Sequence, residues 1–142
     1  MPRLRDLLPP LPWEKTTRKR TRRNPYGSIT VVPFKVKSMD KTRAAIVEGL
    51  ADTGATFSSI PSEVARRLGL TFTGEVPVIL TTGQEVILTM FAGILEVGGR
   101  ETGTSFSATE RGLVAIGVTD LEKLGLKVNP STGQLEPTAI LG

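Results

Sequence analysis

Asp52 is the one carboxylate in the stretch LADTGATFSSI, where it follows an apolar segment and precedes Thr53 and Gly54. Hydrolysis of a peptide bond without a metal or a covalent nucleophile needs one carboxylate as base and another as acid. Two carboxyl groups about 3 Å apart cannot both ionise, so they share one proton and divide these roles. A chain with a single such aspartate would take the second from another copy of itself. A turn-forming aspartate at a strand end is the simpler alternative.

The chain of 142 residues contains no histidine and no cysteine. These absences exclude disulfides, thiol nucleophiles, zinc sites built on cysteine or histidine, and catalytic Ser–His or Cys–His pairs. Acid–base chemistry must therefore come from aspartate, glutamate, lysine or tyrosine. We expect neither a cofactor nor a metal site.

The elements around Asp52 are typical of one small β-rich domain. SITVVPFKVKS and RAAIVEGLA predict two strands joined by a turn at MDKT, and Pro33 predicts an edge or a bulge in the first. PSEVARRLGL predicts a short helix that ends at Gly69 and has Ser58 or Ser59 as its cap.

Strand patterns continue after this helix. VPVILTTGQEVILTMFAGILEVGGRE predicts strand, turn, long strand, turn and strand, and GTSFSATERGLVAIG predicts two further short strands. VTDLEKLGL predicts a second helix with Thr119 as N-cap, Asp120 and Glu122 in the first turn, and Gly125 at the end. KVNPSTGQLEP predicts a closing hairpin.

Two stretches of the chain echo each other, LADTGATFSSIPSEVARRLGL and LVAIGVTDLEKLGL. Each passes from strand residues through a glycine turn into a short helix that ends in Leu-Gly-Leu. Leu-Gly is common at helix ends, but the shared order favours a domain with twofold pseudosymmetry. Only the first copy carries the aspartate.

The chain resembles the retropepsin-like aspartic proteases in ADTGAT, in the strand-rich stretch after it and in LVAIGVTDLEKLGLKVNPSTGQLEP. It resembles the small prokaryotic members of this family more than the viral enzymes. The resemblance covers about residues 28 to 137. It implies an all-β fold, a closed acid-protease barrel with two short helices, assembled as a homodimer. It also implies an aspartic endopeptidase without cofactor that cleaves peptides or unfolded proteins, with Asp52 of each subunit as the catalytic residue.

The same resemblance assigns supporting roles. Thr53 and Gly54 would support the active-site loop, and Ala55 and Thr56 would lie beside the substrate backbone. The hairpin at LTTGQE would be a flap that closes over the substrate and excludes water; an ordinary exposed hairpin is the alternative. The tip of this flap consists of Thr81, Thr82, Gly83 and Gln84. The element Ala115–Gly117 would pack behind the active-site loop.

Two features depart from the viral pattern. Viral members pair an acidic residue after Asp-Thr-Gly-Ala with an arginine after the second glycine, and this chain has Thr56 and Val118 there. Because both charges are missing together, no buried charge is left unpaired. In addition, GLKVNPSTGQLEP predicts a full C-terminal hairpin, and we expect one from each subunit to form the dimer sheet.

Residues 1–27 form a basic, proline-containing arm, and residues 28–142 form the protease domain. The arm carries eight basic and two acidic side chains, whereas the rest of the chain carries ten and twelve. This composition favours a mobile tail, with a removable pro-segment and a nucleic-acid contact through Lys15–Arg23 as alternatives. Nucleic acid is the less favoured partner, because only Trp13 and Tyr26 lie nearby to stack on bases.

The chain shows no apolar segment long enough for a transmembrane helix and no signal-peptide core. We therefore expect a cytoplasmic protein without membrane contact. The main alternative to an enzyme is a catalytically silent dimer of the same fold that binds extended peptides.

Overall fold

The computed structural model describes residues 21–24, 27–52, 54–110 and 114–138. These residues form ten strands and two helices. The strands are β1 (Thr21–Asn24), β2 (Gly27–Lys37), β3 (Ala44–Asp52), β4 (Ser59–Pro61), β5 (Thr71–Ile79), β6 (Glu85–Val97), β7 (Arg100–Thr109), β8 (Ala115–Gly117), β9 (Leu126–Asn129) and β10 (Gln134–Pro137). The helices are α1 (Ser62–Leu68) and α2 (Val118–Leu124).

Eight strands form one sheet in the order β1-β2-β3-β8-β4-β7-β6-β5. Because β2 also pairs with β6, the six strands from β2 to β6 in this order close into a barrel. The pairs β3–β8 and β4–β7 are parallel, and β9 and β10 form a separate antiparallel hairpin. The predicted all-β closed barrel with two short helices is confirmed for the described residues, whereas the homodimer stays a prediction.

Alternation along the strands builds the core. Val32, Phe34 and Val36 occupy every second position of β2 and are all buried, as expected for a strand with one face turned inward. They pack with apolar side chains of the other barrel strands and of both helices, among them Ile60, Leu68, Leu95, Phe106, Ile116, Leu121 and Leu124.

Pro33 predicted an edge or a bulge in β2, but the strand is not an edge strand over its whole length and its register with β3 shows no bulge. This strand pairs with β3 along Val31–Lys37 and with β6 along Lys35–Lys37. On that second side β1 covers Gly27–Thr30, so Pro33 falls between two paired stretches. A residue without an N–H is tolerated there because the ladder on that side is interrupted.

The barrel wall also buries a charge. Lys35 is 4% exposed, and its Nζ lies 2.8 Å from Glu96 Oε2, directly across the β2–β6 ladder. Lys37 Nζ bridges Glu96 and Glu101 at 3.0 Å each. Burial raises the pKa of the Glu96 carboxyl, but hydrogen bonds from Lys35 and Lys37 outweigh it and hold that pKa below its ordinary value.

The helix ends follow the predictions only at their C-termini. Gly69 and Gly125 both cap their helices in the left-handed conformation, with φ of 62° and 67°, which glycine adopts without cost. The predicted serine caps of α1 and the Thr119 cap of α2 are wrong. Pro61 and Gly117 are the N-caps, and neither helix has a side-chain cap.

The chain ahead of β2 is described only at Thr21–Asn24, whose backbone pairs antiparallel with Gly27–Thr30. Residues 1–20, and with them most of the predicted arm and of Lys15–Arg23, lie outside the described residues. Neither described helix is long and apolar enough to cross a membrane. The division at residue 27, the role of the arm and the cytoplasmic location stay predictions.

Candidate active site

The candidate site begins where β3 ends. The last three residues of this strand, Leu50 to Asp52, run parallel to β8, so that the backbone of Asp52 lies opposite Gly117. Leu50 N–H also donates to Val114 O at 2.9 Å. Strand β3 pairs with β2 along its earlier part, Ala44 to Leu50, and with β8 along its last three residues, so the pairing that reaches Asp52 is the one with β8.

The loop after Asp52 is fastened to β8 and to the start of α2. Val118 N–H donates to Ala55 O at 2.7 Å, which joins the two segments that lack the viral ion pair. A Cβ at Gly117 would lie 2.6 Å from Phe57 C and 2.7 Å from Thr56 O. Only glycine permits so close an approach, so Gly117 packs directly behind the loop, as predicted for the Ala115–Gly117 element.

Ser58 closes the loop and is completely buried. Its Oγ accepts the Gly117 N–H at 3.0 Å and donates to Asp120 Oδ2 at 2.5 Å. The other carboxylate oxygen of Asp120 accepts the Thr104 hydroxyl at 2.7 Å, and Lys123 Nζ lies 3.4 Å away. These bonds satisfy an acidic side chain that is only 2% exposed, as a buried charge requires.

The predicted flap is the β5–β6 hairpin, with Ile79 opposite Glu85 at the end of the ladder. Its loop is held by Leu80 N–H to Gln84 O and by Gly83 N–H to Leu80 O, both at 2.8 Å. Gly83 has φ of 87°, which favours glycine. The four tip residues are all exposed.

Among the predicted site residues, the structure brings Ala55 and Thr56 together with the end of β8. The hydrogen bonds described for the flap tip join its residues to one another and to Leu80. Gly54 is an exposed turn residue beside them. Thr53 lies outside the described residues. The catalytic role of Asp52 and the substrate contacts of the other residues stay predictions.

A comparison with protein-family models matches residues 32–117 to an aspartyl protease family of the retropepsin-like clan. This match covers more than half of the chain. The chain belongs to the aspartyl protease family. The resemblance found in the sequence is thereby confirmed, and the matched region runs from β2 through Asp52 and the hairpin at LTTGQE to the end of β8. A search among curated proteins finds no match.

Ser58 and Asp120 are functional candidates that sequence reasoning missed in this aspartyl protease. It offered Ser58 as one of two candidate helix caps and placed Asp120 in the first turn of α2, where an acidic residue suits the helix dipole. One signal was present: Asp120 stands four residues before Leu124, so it shares the apolar face of the helix. An acidic residue on a buried face needs a hydrogen-bonding partner elsewhere in the fold.

Proposed function

We propose that this aspartyl protease is an endopeptidase that acts as a homodimer, with Asp52 of two subunits forming one catalytic dyad. The observation that carries the proposal is the single Asp-Thr-Gly of the chain, Asp52 to Gly54, at the end of the central strand β3. One motif per chain supplies one carboxylate, and a twofold axis would supply the second. Thr53 and Gly54 would support the loop that carries it.

In the proposed reaction, one Asp52 carboxylate is ionised and takes a proton from a water molecule while the oxygen of that water bonds to the carbonyl carbon. The other Asp52 is protonated and donates its proton to the carbonyl oxygen. The product of this step is a diol. When its C–N bond breaks, the Asp52 that took the proton from water donates one to the amine nitrogen, and the other Asp52 recovers a proton from a hydroxyl of the diol. Aspartic proteases are the standard example of such a shared proton, which titrates as a unit. We therefore expect an acidic optimum.

The C-terminal hairpin of β9 and β10 is the proposed dimer contact. In the described part of the chain these two strands pair only with each other, so each keeps an open edge, and open edges accept a strand from another chain. Leu126 and Leu135 anchor the hairpin in the core, and Thr138 N–H donates to Gly125 O at 2.7 Å. A firmly held hairpin could fix the two subunits, and hence the two Asp52 residues, relative to each other.

The proposed substrate is an extended peptide with bulky apolar side chains. Val76 pairs with Leu88 and Val78 with Val86, so these four aliphatic side chains share one face of the flap hairpin, and all are half-buried. Under the proposal this face covers the substrate, whose backbone lies beside Ala55 and Thr56, while Thr81 to Gln84 close over it. A cover of this kind would keep bulk water from the reacting bond.

Proteolysis of a denatured protein at about pH 4 to 6 by the purified chain tests the proposal. We expect cleavage that statine-type compounds block and that Asp52→Asn lowers by about a thousandfold. Glu63→Gln, an exposed change in the first turn of α1, is the control and should keep full activity. Full activity of Asp52→Asn contradicts the mechanism, and peptide binding without turnover in the wild type favours a silent binding dimer.

Mixed dimers test whether the dyad is shared. When equal amounts of wild-type and Asp52→Asn subunits exchange freely, about half of the wild-type subunits enter mixed dimers. A shared dyad then predicts that activity falls to about half of the value for the same amount of wild type alone. A site complete within one subunit predicts no loss. Sedimentation of the same sample establishes whether dimers form.

A further inference from the structure

Burying the carboxyl group of Asp120 costs free energy, and one of its hydrogen bonds connects it with Ser58 of the candidate site. A carboxyl group that is 2% exposed has lost nearly all its contact with water, so hydrogen bonds within the protein must replace that contact. Two hydroxyls donate to it, Ser58 from the loop after Asp52 and Thr104 from β7, and Lys123 Nζ lies 3.4 Å from Asp120 Oδ1. An apolar side chain at this position of α2 would fill the core without that cost, so the carboxylate serves more than packing.

Ser58 transmits the position of Asp120 to the backbone of the loop. A serine hydroxyl has one hydrogen, and the bond to Asp120 uses it. The oxygen lone pairs are therefore turned to the Gly117 N–H, which lies 3.0 Å away. The Ser58 carbonyl also accepts the Ser107 N–H at 2.9 Å, so both the side chain and the backbone of this residue are fixed.

Gly117 connects this arrangement to Asp52. The two residues are opposite each other in the β3–β8 ladder, and the space at the Gly117 Cα is closed by the backbones of Thr56 and Phe57. A shift of Gly117 must therefore shift either the end of β3 or the loop that follows it. The chain of contacts runs from Asp120 through Ser58 and Gly117 to the backbone of Asp52.

We propose that Ser58 and Asp120 are positioning residues for the reaction of Asp52, which they influence through Gly117. This inference rests on the proposed peptidase function. Its physical basis is that catalysis depends on placing the reacting groups to within a fraction of an ångström, so that a small displacement from outside the site lowers the rate. The charged hydrogen bond between Ser58 and Asp120 is stronger than a neutral one and suits such a role.

Thr104 provides the matched control. It donates to the same carboxylate as Ser58, at 2.7 Å against 2.5 Å, but it lies on β7. Thr104→Val and Ser58→Ala each remove one hydroxyl from Asp120, and we expect both to lower the melting temperature. Only Ser58→Ala interrupts the path to Gly117.

The experiment compares kcat and KM of the two variants on a peptide substrate, well below both melting temperatures. We expect Ser58→Ala to lower kcat about tenfold or more with KM changed by less than about threefold, and Thr104→Val to keep kcat within about twofold of the wild type. Equal kcat losses in both variants, or an unchanged kcat in Ser58→Ala, would overturn the positioning role.

If the Ser58→Ala variant does not fold, Asp120→Asn is used in its place. The neutral amide keeps an oxygen for the Ser58 hydroxyl but binds it more weakly, so kcat should fall by about threefold or more while Thr104→Val stays near the wild type. An Asp120→Asn enzyme with wild-type kcat would contradict the proposal.

Hydrogen exchange of the Gly117 amide separates this inference from the proposed function. In Ser58→Ala the Gly117 N–H loses its acceptor, so its exchange should become faster by about tenfold or more. The Leu50 N–H is the reference, because its acceptor Val114 O is unchanged. If the wild type cleaves no peptide but this exchange responds, the peptidase function fails and the contact path stands. If the wild type is active but Gly117 does not respond, the path is refuted and the peptidase function stands.

Discussion

The units β4–α1 and β8–α2 are built alike and are used differently. Each has a three-residue strand followed by a seven-residue helix that ends at a left-handed glycine. A buried leucine follows each glycine, Leu70 in one unit and Leu126 in the other. In the first turn α1 carries the exposed Glu63, whereas α2 carries the buried Asp120.

Under the proposed function, one copy of this local pattern follows the catalytic loop and the other copy supports that loop. The first unit continues directly from the loop after Asp52. The second unit has no counterpart of that carboxylate, and its Gly117 and Asp120 hold the loop of the first. The predictions below test this division, beginning with the largest expected effect.

Gly117→Ala should give the largest loss of stability. Gly117 has φ of −78°, which any residue adopts, so the substitution tests packing alone. Its Cβ would lie within 3 Å of the Phe57 and Thr56 backbones, and we expect a free energy of unfolding lower by about 3 kcal/mol or more. Urea denaturation measures it.

Gly103→Ala is the control for this prediction, because nothing lies within 4 Å of a Cβ at that strand position. It should leave the stability unchanged or raise it slightly. Equal stability in the two variants would show that the loop and β8 are not in close contact.

Asp120→Ala should have the next largest effect on stability, and this effect should distinguish α2 from α1. Removing this carboxylate leaves the Ser58 hydroxyl without its acceptor in the core and costs roughly 2–4 kcal/mol. Glu63→Ala, the corresponding change in the first turn of α1, should alter the free energy of unfolding by no more than about 0.5 kcal/mol. Similar losses in thermal or urea denaturation would refute the proposed difference between the helices.

Gly69→Ala and Gly125→Ala should affect the two units equally. Both glycines have positive φ, 62° and 67°, so alanine costs about 1–2 kcal/mol at either position. Asparagine, which tolerates this conformation better, should restore part of the loss in both. A clearly larger effect at one position in paired melting curves would show that the helix ends differ in more than conformation.

The pH dependence of stability that Glu96 on β6 contributes should be the smallest effect. Because the pKa of Glu96 is below its ordinary value of 4.5 in the folded protein, the unfolded chain binds a proton first as the pH falls. The contribution of Glu96 is therefore complete above about pH 4.5 and is lost as the pH falls further.

Glu96→Gln should flatten the dependence of the melting temperature on pH between about 3 and 6 by no more than a few degrees. Glu63→Gln should leave the slope unchanged, because that side chain is exposed and has no ion pair among the described residues. An unchanged slope in Glu96→Gln would contradict the role assigned to its lysine partners.

Local features of this fold could be predicted because they depend on neighbouring residues. Alternation predicted β2 and β3, the turn residues predicted the hairpins, and Gly69 and Gly125 predicted the helix ends. The helix N-caps could not be predicted this way. Ser58 has the chemistry of a helix cap, but β4 separates it from α1, and its hydroxyl binds a carboxylate 62 residues away.

The sequence by itself limited the chemistry that can be proposed for this protein. Without histidine or cysteine, the carboxylate of Asp52 before Thr-Gly is the group on which an aspartic mechanism rests, and the alternating strands around it specify a β-rich domain. The tertiary structure decided what supports the backbone at that residue. Strands β3 and β8 are distant in the chain, and their parallel register brings Gly117 opposite Asp52 and Asp120 within reach of Ser58. Contacts of this kind depend on barrel closure, which no local pattern of residues encodes.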